Sequence, residues 1–346
     1  MPAGSCPPST GWSSPDAKGR RNGVERQGVQ FSCWPGDDNA LRSWPVGTTG
    51  RFEPDEIEEK TMKIGVAMAF NHITPPAFIG EAARAVEAAG FDAIWVPEHV
   101  IFFPEYESRY PYSANGRIPG DPEGILDPFS ALTYIAAHTE RVRLGTGICL
   151  VPQRNPVYTA RMVADLDYLS GGRVDFGVGI GWLKEEFDNL QMDFATRARR
   201  TVEYIEVMQA LWSPELAAYE GESYQLAPCQ FNPKPVQSPH PPIFFGGESE
   251  PALRRVASHG DGWYGFNLSP EAFAERLSRL DALLAEAGRS RADVQVYVGP
   301  RRDLLNPDAI AQFKALGADQ AIVPLMAAKL ETLKPRMDGL LKAVGR

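Results

Sequence analysis

The stretch FDAIWVPEHV, residues 91–100, decides how this chain is read. Phe91 to Val96 is apolar enough to form a buried strand, yet after Pro97 the run stops on an acid and an imidazole, Glu98 and His99. A strand that ends on such a pair brings to one point a carboxylate and the side chain that titrates nearest neutral pH. What that point does depends on the elements around it.

Upstream, MKIGVAM (62–68) is a short apolar run followed by PPAFIGEAARAVEAAG (75–90). In the second segment Phe78, Ile79, Ala82, Ala83, Val86 and Ala89 fall at helical spacing and Gly90 supplies the stop. Downstream the alternation continues: apolar runs at VRLGTGICLV (142–151), VDFGVG (174–179), PPIFFGG (241–247), GWYGFN (262–267), VQVYVG (294–299) and QAIVPL (320–325), with amphipathic helical stretches between most of them. Counted with the first two runs, these make eight strands. Strand and helix in alternation imply parallel pairing with both sheet faces covered. Eight such units over residues 62–346 predict an α/β fold, a (β/α)8 TIM barrel with loop insertions, ahead of an open doubly wound sheet. In a barrel the strand ends carry the chemistry, so Glu98 and His99 are expected at the catalytic mouth. The alternative is a histidine that only caps a backbone carbonyl.

Residues 1–61 are crowded with Gly, Pro and Ser and show no period of 2 or 3.6. They are expected to be a disordered N-terminal extension, or a spurious one if Met62 is the true start. Two further segments break the rhythm, 101–126 and 213–241, both long enough to be lids or walls of a site.

Composition excludes several functions. The chain has 346 residues, 43% apolar and 23% charged, with a formal net charge of -9 and no long basic run, so it is not expected to track a phosphate backbone. No stretch of about 18 apolar residues is present to span a bilayer, and no secretory signal is evident, so a cytoplasmic protein is expected. The four cysteines, Cys6, Cys33, Cys149 and Cys229, show no paired spacing and read as free thiols. No HxH, HExxH or Cys/His cluster suggests a metal. Asp175 lies near a strand's beginning, which leaves Glu98 without the facing acid a glycosidase needs. GVGIGW (177–182) lacks the third glycine of a dinucleotide fingerprint.

Three strand ends carry glycines, at 144–152, 177–182 and 244–255, where backbone must approach something closely or take positive φ. Gly179 with Gly181, and Gly246 with Gly247, precede helical stretches whose free amides suit an anion.

GFDAIWVPEHV (90–100), VRLGTGICLVPQRNPVYTARMVADLDYLSGGRVDFGVGIGW (142–182) and PKPVQSPHPPIFFGGESEPALRRVASHGDGW (233–263) together resemble the luciferase-like monooxygenase superfamily, and within it the coenzyme F420 (deazaflavin)-dependent oxidoreductases. The resemblance covers roughly residues 62 to 346. It implies a (β/α)8 barrel, an isoalloxazine-like ring at the C-terminal mouth, and hydride transfer with a small organic substrate. It implies that His99 is the catalytic histidine beside the reactive ring carbon, preceded by Glu98, and that a non-prolyl cis peptide falls at Gly147-Ile148, with Cys149 and Leu150 lining the ring. Gly179, Gly181, Gly246 and Gly247 would face the cofactor, and Arg154 and Lys184 its anionic tail. Where the family's sugar-phosphate dehydrogenases carry a second acid, this chain has Trp182. With Phe70, Phe102, Phe103, Tyr106, Tyr110 and Tyr112 this points to a flat or apolar substrate; ordinary loop packing is the other reading of the set. Two alternatives stay open: a monooxygenase using reduced FMN from a separate reductase, and a catalytically silent flavin-binding barrel. Relatives of this kind often form homodimers.

Overall fold

The computed structural model describes residues 62–120 and 122–346; the expectation for residues 1–61 lies outside the described residues. The strands are β1 (Lys63–Ala67), β2 (Ala93–Val96), β3 (Arg143–Thr146), β4 (Cys149–Leu150), β5 (Val174–Gly179), β6 (Ala217–Glu220), β7 (Gln225–Cys229), β8 (Ile243–Gly246), β9 (Gly262–Leu268), β10 (Gln295–Pro300) and β11 (Gln320–Pro324). The helices are α1 (Pro76–Ala88), α2 (Pro128–Ala136), α3 (Pro156–Ser170), α4 (Lys184–Asn189), α5 (Arg197–Trp212), α6 (Glu250–His259), α7 (Pro270–Glu286), α8 (Pro307–Ala315) and α9 (Leu330–Ala343).

Every pairing in the main sheet is parallel, and the sheet closes: β1 pairs with both β2 and β11, β3 pairs with β5, and β5 runs on through β8, β9 and β10 to β11. The eight expected strands are present, the third in two pieces. β3 and β4 flank Gly147 and Ile148, whose peptide bond is cis, at the position the resemblance implies.

Two cores hold the barrel. Between sheet and helices, side chains such as Val66, Ile94, Leu144, Phe176 and Phe245 pack on Ala82, Leu132, Val163 and Met208. Inside the barrel lie Trp95, Phe244, Tyr264, Tyr297 and Ile322. Trp95 is fully buried; its rings meet those of Phe244, Tyr264 and Tyr297 at centroid distances of 6.0, 5.3 and 5.8 Å, and its Nε1 donates to Gln320 Oε1 at 3.0 Å. An indole this size fits because the neighbouring strands are bare. A Cβ added at Gly145 would lie 2.2 Å from the Trp95 ring, and one at Gly177 would lie 2.0 Å from the Thr146 carbonyl oxygen. These two glycines, at strand ends where a close approach of the backbone was expected, make room for the protein's own core.

At the strand-start face a single device recurs. An aspartate just ahead of one strand accepts the backbone N–H at the start of the preceding one: Asp92 from Ile64 (2.7 Å), Asp261 from Ile243 (2.9 Å) and Asp319 from Val296 (2.8 Å). Each satisfies a donor that the ladder leaves over.

Both ends of segment 213–241 also belong to this face, since α5 ends here and β8 starts here. Its hairpin, β6 with β7, packs on α5, where Glu203 accepts from the Ser223 amide and hydroxyl at 2.6 and 2.9 Å. Its second half is tied by Asp167, at the end of α3, which accepts the amides of Val236 and Gln237 and the Gln237 side chain. The expectation of a lid fails for this segment because it must carry the chain back from the end of α5 to the start of β8.

Candidate active site

Because the strands are parallel, the residues that follow β2, β5, β8 and β9 share one end of the barrel. Glu98 and His99 stand there but point to different partners. Glu98 is 4% exposed, with one carboxylate oxygen accepting the Leu150 amide at 2.5 Å and the other the Arg154 Nε at 2.6 Å. Arg154 also reaches Asp127 at 2.6 Å, and Asp127 caps α2 by accepting from Ser130. A buried carboxylate persists only with such partners. Glu98 is therefore a brace between β2 and β4, not a cofactor ligand. Arg154 is spent in the same network, whereas Lys184 makes only an exposed pair with Asp188 at 2.6 Å, one turn along its own helix, which leaves it open to an anion.

His99 turns the other way. Its Nδ1 lies 3.1 Å from Oε2 of Glu186, a fully buried residue of α4 that the sequence reading missed. Glu186 Oε2 also accepts Gln153 Nε2 at 3.0 Å, while Oε1 accepts the amides of Val100 and Ile101 at 2.6 and 3.1 Å. Burial opposes its ionisation, but His99, Gln153 and the backbone donors hold the carboxyl below its usual range. The adjacent Glu185 accepts the amides of Glu107 and Ser108 at 2.6 and 3.0 Å. Against some burial, Ser108 and these backbone donors pull its carboxyl down to about 2. Two consecutive glutamates of one short helix thus staple residues 99–108 to the end of β5. The doublet Glu185-Glu186 was visible in the sequence, but a solvated face was its ordinary meaning.

From His99 an aromatic series crosses the mouth. The His99 ring lies 5.0 Å from Phe102 and 5.9 Å from Trp182; Trp182 meets Tyr106 and Tyr110 at 5.7 and 5.3 Å; Tyr110 meets Tyr112 at 5.6 Å, and Tyr112 meets Phe266 at 4.9 Å. Tyr112 donates its hydroxyl to Glu248 Oε2 at 3.1 Å, and the Phe266 amide donates to the other oxygen at 2.8 Å. Burial pushes the Glu248 carboxyl up, in part offset by the Phe266 and Tyr112 donors. Segment 101–126 is therefore a wall of the mouth, fastened at one side by α4 and at the other by Glu248. Phe70 is not part of it; it is 3% exposed in the outer core.

The remaining expected residues divide. Ile148 packs on the inner core, and the space over Gly179 and Gly246 is filled by its side chain: a Cβ at either would come within 2.1 and 2.9 Å of its Cδ1. Gly147 faces Trp95 and Tyr264 with only ordinary contacts. Gly181 and Gly247 have φ of +75° and +106°, and a Cβ at Gly181 would meet the Phe187 ring at 2.7 Å. Cys149 is fully buried in the outer core, where burial pushes its thiol well up, so its side chain does not reach the mouth. Two unforeseen cations do stand at this end. Arg197 donates from Nε to the Gly181 carbonyl at 3.3 Å, and Arg255 on α6, whose guanidinium has no hydrogen bond or ion pair among the described residues, is depressed first by burial and then by Arg197.

A closed (β/α)8 barrel with an imidazole, a broken third strand and an aromatic wall at its C-terminal mouth defines the class. The luciferase-like monooxygenase family model matches residues 61–317, and the chain belongs to that family. An uncharacterized protein of Mycobacterium tuberculosis is 33% identical over 252 residues, covering 72% of this chain and 86% of that protein. The FMNH2-dependent dimethylsulfone monooxygenase of Pseudomonas putida is 33% identical over 133 residues, 38% of this chain and 36% of that enzyme. Among solved structures, the coenzyme F420 dependent tetrahydromethanopterin reductase from Methanopyrus kandleri is similar with a TM-score of 0.63 at 17% identity, covering 82% of this chain and 97% of that chain. At that identity the likeness concerns the fold. Among the described residues no helix is long and apolar enough to cross a membrane, and no group of three or more metal-ligating side chains occurs.

Proposed function

We propose that this protein is a coenzyme F420-dependent oxidoreductase that transfers a hydride between the deazaflavin and a flat or apolar organic substrate. The observation that carries the reading is the mouth itself, where His99, the Gly147-Ile148 break and the aromatic series from Trp182 to Phe266 surround one apolar floor. These residues fit a planar ring: the floor is Ile148 over Trp95 and Tyr264, and the wall is aromatic. When bound, the deazaflavin would accept a hydride from the substrate or return one to it. His99 takes the substrate's proton as hydride leaves the substrate and gives it back in the reverse direction, and Trp182 with the wall tyrosines excludes water and seats an apolar face. Arg197 and Arg255 join Lys184 as the cations available for an anionic side chain, in place of Arg154.

The similarity to an FMNH2-dependent enzyme favours a second reading, an FMNH2-dependent monooxygenase fed by a separate reductase. Calorimetric titration of the purified protein with each cofactor separates them. Deazaflavin binding that is tighter than that of FMN by about tenfold or more, lost on doubling Arg197→Ala with Arg255→Ala, is the expected result. Tight FMN binding with no deazaflavin heat overturns the first reading in favour of the second.

A further inference from the structure

Glu186 has a consequence for the proton chemistry of the mouth. It is fully buried and surrounded by four donors, with two backbone amides on Oε1 and two side-chain groups, His99 Nδ1 and Gln153 Nε2, on Oε2. An ionised carboxylate accepts hydrogen bonds and donates none, so the His99 nitrogen facing it must carry a hydrogen. The other ring nitrogen, Nε2, makes no hydrogen bond to a described residue, and the ring lies against Phe102 and Trp182.

We infer that Glu186 is a positioning residue that locks neutral His99 in the tautomer protonated at Nδ1, so that Nε2 is presented to the mouth as a proton acceptor. The lock specifies what is recognised there: a group that carries its own hydrogen, such as a hydroxyl or an N–H, donates to Nε2. When that hydrogen moves onto Nε2, both ring nitrogens are protonated, and the carboxylate stabilises the imidazolium without taking its proton. The oriented base depends on a residue 87 positions away in sequence, on a helix that also pins the two amides next to His99. This inference deepens the proposed function and rests on His99 being its catalytic histidine.

Glu186→Gln is a sharp probe because the site dictates how the amide must sit. Two backbone N–H groups converge on the Oε1 position, so the oxygen of a glutamine is retained there and its NH2 takes the Oε2 position. Gln153 accommodates the exchange by turning over, since its own Oε1 has no partner now. His99 Nδ1 then faces a donor and must accept, which moves the hydrogen to Nε2.

The measurement is long-range proton–nitrogen NMR of 15N-histidine-labelled protein without cofactor, at about pH 8.5, well above the value of a free imidazole. The chain has five histidines, and His99 is identified by the signal lost in His99→Ala. The wild-type protein is expected to show His99 protonated at Nδ1 and Glu186→Gln to show it protonated at Nε2. Turnover in the variant should fall about tenfold or more with cofactor affinity little changed. A wild-type His99 protonated at Nε2 overturns the lock, and this reading does not depend on Glu186→Gln folding. A folded Glu186→Gln protein that keeps the Nδ1 pattern also overturns it. If the spectra are as expected but His99→Ala turns over at the wild-type rate, the lock stands and the catalytic reading of His99 falls.

Discussion

Residues 101–126 and 213–241 look alike in sequence. Both are long, rich in proline, and carry tyrosines and charges between regular elements. Folded, they are anchored differently: the first leaves a strand end at the mouth, and the second has both its ends at the strand-start face. The first is held by carboxylates of α4 and by Glu248 and puts Phe102, Tyr106, Tyr110 and Tyr112 at the mouth. The second contains a hairpin, is held by Glu203 and Asp167, and joins α5 to the strand-start end of β8. The difference follows from parallel topology: a connection that leaves a strand's end lies at the mouth, and one that leads into a strand's start lies at the far face. Anchors at the mouth should serve turnover, and those at the far face should serve stability.

The largest test of this division is at the residue that opens the mouth-side connection. His99→Ala is expected to lower turnover by about 10²-fold or more and leave cofactor affinity nearly unchanged, with a destabilisation of about 1–3 kcal/mol because Glu186 loses one of its donors. Absorbance of the coenzyme during turnover, on protein shown to be folded by its melting curve, reads the outcome. Near wild-type turnover would falsify the catalytic role and leave His99 as a wall anchor.

The converse test is Asp167→Ala. Asp167 is fully buried and accepts three hydrogen bonds from Val236 and Gln237, so its loss strands donors at the far face. A destabilisation of about 1–3 kcal/mol is expected, with the rate per folded molecule unchanged. Urea denaturation and turnover on the same sample check both halves; a rate that fell with the stability would break the division.

The smallest effect is acid sensitivity of the wall. Glu185 and Glu186 have folded-state values below the ordinary 4.5, so each contributes stability that is present above 4.5 and lost as pH falls through the folded value, about 2 for Glu185. Between those limits the wall should loosen, seen as a change in the emission of Trp182 taken as the difference between wild type and Trp182→Phe. In Glu185→Gln this acid-linked change should shrink, since that carboxylate no longer titrates. An identical acid response in the variant would assign the loosening to other groups.

Much of this was legible along the chain. Eight apolar runs alternating with helical spacing specify a parallel barrel, and a closed parallel barrel places Glu98, His99, Trp182 and the second glycine pair at one end. Those signals are local, since strand and helix periods and strand ends are written in neighbouring residues. What the tertiary structure alone decided is which group faces which. Glu98 and His99 are adjacent in sequence, yet one is turned into a buried brace with Arg154 and the other toward Glu186. Gly145 and Gly177 serve Trp95, and the room at Gly179 and Gly246 is taken by Ile148. Glu186 meets His99 only because closing the barrel sets the end of β5 beside the chain that leaves β2. Periodicity sorts residues into inside and outside, but the partner of a buried charge is chosen by desolvation, which requires a counterpart from whatever element the topology brings alongside.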